Sequence, residues 1–257
     1  MLRAVIWDVD GTLAETECDG HRVAFNRAFA ELDLPWHWDV STYGRLLRVA
    51  GGRERLLAWI DTAPSAPQDQ MARERLASTV HQHKARHYHD LVGQGLIAAR
   101  PGVIRVSEEL ARAGIALAVA TTTGHGNVDA LFPHLFGARW RDRFAAAVCA
   151  EDAARKKPDP QVYQVALARL NLGEDDALAI EDSPAGLHAA LASGVCCLVT
   201  RGSYFAHEDF SGASHVCADL DHASEASEHG LARIDLPALR RIHAGGRAKL
   251  DSDSDPG

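Results

Sequence analysis

Two aspartates, Asp8 and Asp10, stand two residues apart directly after the first apolar run of the chain. The segment is "IWDVDGTL", and the turn-former Gly11 follows the second aspartate. Two carboxylates this close repel each other unless water or a cation lies between them. A solvated turn would explain the pair taken alone. A site in which one carboxylate attacks an electrophile and the other handles a proton would explain it equally well.

Phosphoryl transfer is a reaction that uses such a pair. The negative oxygens of a phosphate ester repel a nucleophile, so a carboxylate can attack it only when a cation neutralises those oxygens. An acid must also protonate the leaving alkoxide. Asp8 and Asp10 could supply the nucleophile and the acid, and carboxylates from a distant strand could complete a site for Mg²⁺, which prefers oxygen ligands. Glu181 and Asp182 stand at the end of such a run, "DALAIED".

Two further side chains could hold the oxygens of the transferred phosphoryl group. This task needs a fixed amine and a hydroxyl. Lys157, in "KKPDP", supplies the amine, and Thr121, at the end of "LAVAT", supplies the hydroxyl. The four parts together favour a functional site over a solvated turn.

Short apolar runs that alternate with helical patterns must position these groups. We predict strands in the apolar runs within residues 2–7, 115–120, 144–150, 176–182 and 195–200, with amphipathic helices between the later ones. This alternation predicts an α/β fold with a doubly wound, mostly parallel sheet. Ligands of such sheets bind outside the carboxyl ends of the strands, where the polar groups lie.

One long interval carries no convincing strand. From about residue 17 to residue 92 the patterns are helical, and we interpret them as an all-helical cap inserted between the first and second strands. The predicted organisation is a core of residues 1–16 and 94–240, a cap of residues 17–93 and a flexible tail of residues 241–257. The tail prediction rests on the polar, glycine-rich sequence "AGGRAKLDSDSDPG".

Composition narrows the class of protein. The chain has 257 residues, 46% hydrophobic and 24% charged, and a formal net charge of -8. This charge argues against nucleic acid or an anionic membrane as the main partner, although a local site can still bind an anionic substrate. Five cysteines form no CxxC pair, and no secretory signal or membrane-spanning run is evident. We expect a cytoplasmic monomer.

The order of the four parts resembles the haloacid dehalogenase-like hydrolase superfamily. The parts are DxDGT, a strand-terminal Thr, a Lys before Pro and a strand-terminal ED. The resemblance implies Asp8 as nucleophile and Asp10 as acid and base, with Mg²⁺ as cofactor. It implies four metal ligands, namely Asp8, Asp10 through its backbone carbonyl, Asp182, and Glu181 directly or behind the first ligands.

A closer resemblance lies in the cap. The segments "DVDGTLAETE", "GHRVAFNRAF", "WHWD", "LLRVAGGRERL" and "RPGV" are similar to the CbbY-type branch, the xylulose-1,5-bisphosphate phosphatases associated with the Calvin cycle. "ATTTGHGN", "KKPDP" and "AIEDSPAGL" extend the similarity over nearly the whole chain. It implies a phosphorylated sugar as substrate. The residues implied to contact that substrate are Glu17, His21, Gly51, Gly52, Arg53, Lys84, Thr122 and Asn127.

Some alternatives stay open at this point. β-Phosphoglucomutase shares the core and the cap but returns the phosphoryl group to a sugar, and Thr12 favours hydrolysis by family analogy. A catalytically inactive regulatory partner of carbon fixation is a third interpretation, although Asp8 and Asp10 are both present. His83 and His87, four residues apart in "HQHKARHYHD", could bind zinc, but a solvated helix face explains them better.

Overall fold

A parallel sheet forms the centre of the molecule. The computed structural model describes residues 1–223 and 232–253. Within them the strands are β1 (Ala4–Trp7), β2 (Ala116–Ala120), β3 (Phe144–Val148), β4 (Ala177–Glu181), β5 (Cys196–Thr200) and β6 (His215–Cys217). They lie in the order β3-β2-β1-β4-β5-β6, and all neighbouring pairs are parallel. The predicted fold class is confirmed, and β6 is an addition, because a three-residue strand leaves almost no pattern in the sequence.

The chain between β1 and β2 contains only helical elements. They are a π-helical turn (Thr16–His21), α1 (Arg22–Glu31), α2 (Val40–Leu46), α3 (Gly52–Thr62) and α4 (Gln70–Gly93). Asp39 and Asp69 cap α2 and α4, since their carboxylates accept the N–H groups of Thr42 and Ala72 at 2.6 and 2.7 Å. We call this unit the cap. Its exact boundaries as a domain stay a prediction.

The cap has its own apolar core, in which aromatic side chains are the largest members. Phe25 and Phe29 of α1 pack against Trp38, with ring centroids 4.7 and 4.9 Å apart. Trp36 and Tyr43 are buried in the same cluster. These contacts explain why the aromatic residues concentrate here, since large rings bury the most apolar surface per side chain.

Helices cover both faces of the sheet. They are α5 (Val103–Arg112), α6 (His125–Phe136), α7 (Gln161–Leu170), α8 (Pro184–Ala192) and α9 (Leu236–Asp253). The side chains of β1 alternate between two apolar clusters, Val5 and Trp7 on the face of α5, α6 and α9, Ala4 and Ile6 on the face of α7 and α8. Because both faces are buried, the strands are apolar throughout, as the sequence pattern indicated.

The end of the chain differs from the prediction. Residues 241–253 continue α9 instead of forming a flexible tail, and Ile242 and His243 are buried. The imidazole of His243 lies 3.0 Å from the carbonyl oxygen of Asp175. A side chain at Gly246 would overlap Ser214 and crowd the Cβ of Cys196, at 2.9 Å, whereas a side chain at Gly245 would meet no atom within 4 Å. Gly246 therefore reflects close packing, which a compositional argument cannot distinguish from flexibility.

Two parts of the predicted domains lie outside the described residues. They are residues 224–231 of the predicted core and residues 254–257 of the predicted tail. Among the helices that the structure describes, none combines the length and apolarity that a bilayer crossing requires.

Candidate active site

Three adjacent strands bring the predicted residues to one edge of the sheet. In β1, Trp7 pairs with Val119 of β2 on one side and with Ile180 of β4 on the other. Asp8 therefore leaves the sheet at the same level as the ends of β2 and β4. β2 and β3 lie on one side of β1, and the later strands lie on the other side. The carboxyl end of β1 is therefore a topological switch point, where open α/β sheets bind ligands.

Lys157 lies at the centre of the cluster that results. Its ammonium group donates to Asp8 Oδ1 at 2.6 Å, to Glu181 Oε1 at 2.6 Å and to the carbonyl oxygen of Ala120 at 2.8 Å. Burial would lower the pKa of Lys157, but the two carboxylates outweigh this effect and raise it. The loop after β3 thus supplies a permanent positive charge beside Asp8.

Three buried carboxylates lie close together beside Lys157. Oxygens of Asp8, Glu181 and Asp182 lie within 4.8 Å of one another, and all three residues are buried. Burial, together with the neighbouring carboxylates, raises the pKa of Asp8 to about 7 and that of Asp182 well above its ordinary value. Lys157 and the buried Arg100, which is itself paired with Glu15 at 3.1 Å, do not compensate these three carboxylates. An all-oxygen donor set suits a hard divalent cation such as Mg²⁺.

Glu181 differs from the other two carboxylates in its contacts. Its Oε1 accepts both the Lys157 ammonium and the hydroxyl of Tyr163, the latter at 2.5 Å. Its other oxygen faces the N–H of Asp182 at 3.3 Å. Because its oxygens are already bonded, Glu181 is placed to orient Lys157 and to support a metal from behind Asp8 and Asp182.

Gly11 allows the first loop to approach Asp182 closely. Its φ is +87°, and a Cβ at this position would overlap the carboxylate of Asp182. Glycine is therefore required both by the backbone conformation and by the space. This contact explains in physical terms the glycine that follows Asp8 and Asp10.

Asp10 points toward the cap and lies outside the carboxylate cluster. Its Oδ1 accepts the hydroxyl of Thr16 at 2.5 Å and lies 3.1 Å from His21 Nε2, while His21 Nδ1 lies 2.8 Å from Lys84 Nζ. Burial would raise the pKa of Asp10, but the charge and hydrogen bond of His21 and the hydrogen bond of Thr16 lower it to about 2. The predicted residues Asp10, His21 and Lys84 therefore form one connected chain.

The space between cap and sheet is divided into two adjoining cavities. The core-side cavity, of about 400 Å³, is lined by Asp8, Lys157 and Asp182; the cap-side cavity, of about 370 Å³, is lined by Lys84, Arg53 and Asn127. Both share the following lining residues: Asp10, Glu17, Gly51, Arg55 and Thr122. We call the two cavities together the cleft.

The remaining predicted residues differ in whether their side chains face the cleft. Gly52 and His21 also line the cap-side cavity. The hydroxyl of Thr121 is buried and accepts the N–H of Thr123 at 3.2 Å, so Thr122, rather than Thr121, lines the cleft. Arg53 is directed partly outward, since it contacts Glu74 at 2.9 Å and its side chain is 44% exposed.

Arg55 lines both cavities of the cleft and was not among the predicted residues. Arg55 is buried and donates to the hydroxyl of Tyr43 at 2.7 Å, with the carboxylate of Glu17 3.5 Å away. Tyr43 in turn donates to Glu17. A charged residue in the apolar sequence "ERLLAWI" could have signalled a buried arginine, but only the packing of α2 against α3 reveals its partners.

The histidines of α4 have a structural explanation. His83 and His87 both contact the carboxylate of Glu31 on α1, at 3.0 and 2.8 Å, and Arg86 contacts the same group. They do not belong to the groups of metal-ligand type that the described part of the chain forms. The interpretation as a charged helix face is thus favoured over zinc.

This fold and this set of residues define a class of hydrolase. Residues 2–194 match the family described as haloacid dehalogenase-like hydrolase, and the chain belongs to this family. The chain is an enzyme of the phosphatase type, as predicted.

Two relatives indicate a particular branch of this family. The chain is 47% identical to "Protein CbbY, plasmid" from Cupriavidus necator, over 95% of this chain and 98% of the relative. It is 41% identical to "Protein CbbY" from Cereibacter sphaeroides, over 93% of this chain and 99% of the relative. The predicted CbbY-type branch is confirmed by these matches.

The solved structures agree. CbbY from Rhodobacter sphaeroides in complex with phosphate superposes with a TM-score of 0.80 at 39% identity, over 90% of this chain and 99% of that one. A mutant of the same protein in complex with xylulose-(1,5)bisphosphate has a TM-score of 0.80 at 38% identity, over 92% and 100% of the two chains.

Proposed function

We propose that this protein is a Mg²⁺-dependent sugar-phosphate phosphatase that hydrolyses xylulose 1,5-bisphosphate through an aspartyl-phosphate. The observation that carries the proposal is the Asp8 carboxylate, held by Lys157 beside two further carboxylates, at the floor of a cleft with separate cations at its other end. The structure of a relative in complex with xylulose-(1,5)bisphosphate supports the choice of substrate.

In the first step Asp8 attacks the phosphorus atom of one phosphate group. A P–O bond forms to Asp8, and the bond from phosphorus to the sugar oxygen breaks. Lys157 orients the attacking carboxylate, because it donates to Asp8 Oδ1. The Lys157 ammonium donates all three of its protons within the site, so a contact between Lys157 and the phosphoryl oxygens must replace one of these three hydrogen bonds. The predicted contact of the Thr121 hydroxyl with the same oxygens requires this hydroxyl to turn toward the cleft, because it now accepts the N–H of Thr123 at 3.2 Å and lies outside the lining of the cleft.

Asp10 handles the protons of both steps. The departing sugar oxygen takes a proton from Asp10, and in the second step the Asp10 carboxylate takes a proton from the water that attacks the phosphoaspartate. In its present contacts the low pKa of Asp10 keeps it ionised, as the base of the second step must be. For the first step it must carry a proton, so its contacts with Thr16 and His21 have to change when substrate enters.

The carboxylates of Asp8 and Asp182 and the backbone carbonyl of Asp10 would hold the Mg²⁺, with Glu181 behind them. When bound, the ion neutralises phosphoryl oxygens that would otherwise repel Asp8. The crowding of three buried carboxylates, of which Lys157 contacts Asp8 and Glu181, is the feature of this chain that fits the ion.

The cap-side cavity is suited to the phosphate that is not cleaved. Lys84 is buried there; burial lowers its pKa to about 8, opposed by Glu17 and Asp10, so it still carries its charge at neutral pH. Arg53 lines the same cavity beside Gly51 and Gly52. An exposed arginine can exchange Glu74 for a substrate phosphate at little cost, because surface ion pairs contribute little.

Arg53→Ala is expected to reduce kcat/KM for the bisphosphate strongly and hydrolysis of p-nitrophenyl phosphate hardly at all. Losing a charged hydrogen-bond partner costs about 2–3 kcal/mol, or roughly tens- to a hundredfold. The small substrate has no second phosphate and so should not sense the change. Steady-state kinetics on both substrates measure the difference, and Arg75→Ala, an exposed cap arginine outside the cleft, is the matched control. Equal losses on both substrates would remove Arg53 from distal recognition and leave that role to Lys84.

A substrate panel tests the function itself. The purified protein should release inorganic phosphate from xylulose 1,5-bisphosphate with a higher kcat/KM than from sugar monophosphates, and only when Mg²⁺ is present. Transfer of the phosphoryl group between sugar positions without phosphate release would instead indicate the mutase reaction. No turnover of any sugar phosphate would indicate the inactive regulatory partner.

A further inference from the structure

A second group of metal-ligand type lies outside the carboxylate cluster. A ring nitrogen of His125, the thiol of Cys149 and a carboxylate oxygen of Asp152 lie within 4.8 Å of one another. His125 is the first residue of α6, and Cys149 and Asp152 belong to the loop that follows β3. Residues distant in sequence thus place three different donor atoms at one point.

The contacts of Asp152 orient this group. One carboxylate oxygen, Oδ2, lies 2.8 Å from His125 Nε2 and accepts the N–H of Cys149 at 2.9 Å. The other oxygen accepts a guanidinium N–H of Arg169 at 2.6 Å. Arg169 therefore holds the carboxylate from behind and leaves Oδ2 directed at the other two ligands. Ligating carboxylates in metal sites are commonly supported in this way.

The three donor atoms favour particular metal ions. Imidazole, thiolate and carboxylate together are typical ligands of Zn²⁺, whereas Mg²⁺ prefers oxygen alone. With metal–ligand bonds of about 2.0–2.3 Å, a tetrahedral zinc needs ligand atoms roughly 3.3–3.7 Å apart, so shifts of about 1 Å suffice here. We propose that His125, Cys149 and Asp152 form a binding site for Zn²⁺ or a similar borderline-soft divalent cation, with water as the fourth ligand.

Metal binding requires that the Cys149 thiol lose its proton and that an ion can reach the three ligands. Binding forms the metal–sulfur bond and releases the thiol proton to solvent. The His125 side chain is 44% exposed, which gives an ion a path to the site.

The other buried cysteines do not share this setting. The thiols of Cys196, Cys197 and Cys217 face backbone carbonyl oxygens of the sheet region at 3.5–3.7 Å. Packing in the core accounts for them. Cys149 is the cysteine that belongs to a group of metal-ligand type in the part of the chain that the structure describes.

The site adjoins the cleft. Ala150, next to Cys149, donates its N–H to the carbonyl of Thr123 at 2.9 Å, and Asn127 on α6 donates to the Thr123 hydroxyl at 3.0 Å. Thr123 and Asn127 both line the cap-side cavity. An ion that joins α6 to the loop after β3 would therefore fix the wall of the cleft.

Cobalt(II) titration of the intact protein tests the proposal without reference to activity. In saturating Mg²⁺, which occupies oxygen sites, we expect one equivalent of Co²⁺ to bind with the near-ultraviolet charge-transfer absorption of a cobalt–thiolate bond. Zn²⁺ should displace it. His125→Ala should weaken binding by at least about 100-fold, because even the loss of a residue behind a ligand costs 10- to 100-fold.

Two cysteine variants identify the sulfur. Cys149→Ser should abolish the thiolate absorption, and Cys18→Ser, which removes a partly exposed free thiol, should leave it unchanged. The proposal is overturned if the wild type shows no thiolate absorption or if the absorption depends on Cys18. Unaltered Co²⁺ affinity in His125→Ala overturns it as well, and this test does not depend on how Cys149→Ser folds, since His125 is partly exposed.

Discussion

Asp8→Asn is expected to abolish phosphate release while the protein stays folded. An amide has nearly the shape of the carboxylate, and its oxygen can still accept the Lys157 ammonium that now lies 2.6 Å from Asp8 Oδ1. It cannot attack phosphorus to form an acyl phosphate. Removal of a catalytic nucleophile costs several orders of magnitude, up to about 10⁶-fold. Release of phosphate from the bisphosphate, with and without Mg²⁺, measures the loss.

The control for this variant is Asp90→Asn, which makes the same chemical change at an exposed position on α4. It should have the activity and the Tm of the wild type. The Tm of Asp8→Asn should also stay close to that of the wild type, because the change removes one of three mutually repelling carboxylates. Activity of Asp8→Asn within about tenfold of the wild type would rule out Asp8 as the nucleophile.

Asp10→Asn is expected to slow both chemical steps without preventing Mg²⁺ from binding. General acid and base assistance usually contributes about 10²- to 10⁴-fold, and an amide supplies neither. The Asp10 carboxylate contacts Thr16 and His21 and lies outside the group formed by Asp8, Glu181 and Asp182. Its side chain should therefore matter for protons and not for the ion. Single-turnover kinetics and calorimetric Mg²⁺ titration separate the two effects.

Asp182→Asn is the matched comparison. It removes a carboxylate from within the oxygen cluster, so calorimetry should show a large loss of Mg²⁺ affinity in a folded protein. If Asp10→Asn lost Mg²⁺ affinity to the same extent, the Asp10 side chain would have to be a ligand. The assignment of its backbone carbonyl to the metal would then be wrong.

The sequence alone determined the sheet and the residues at its edge. Five of the six described strands were found. Nearly all residues of β1, β2, β4 and β5 are buried, so these strands are apolar throughout, and their ends are marked by polar residues such as Asp8, Thr121 and Asp182. The alternation of strands and helices along the chain is a local signal. A parallel sheet brings the carboxyl ends of its strands together, so the residues at those ends become neighbours. The cap was recognised as helical from its local sequence patterns, although the roles of its cationic residues could be assigned only by resemblance.

The tertiary structure alone decided the contacts between segments that no local sequence pattern connects. The chain from Asp10 through His21 to Lys84 connects the first loop with the middle of α4, and Arg55 meets Tyr43 only because α2 packs beside α3. The glycine-rich end became a helix because the underside of β5 offers an apolar surface to Ile242. The free energy of burial depends on which surface lies opposite a residue, and that surface exists only after the distant parts of the chain have packed together.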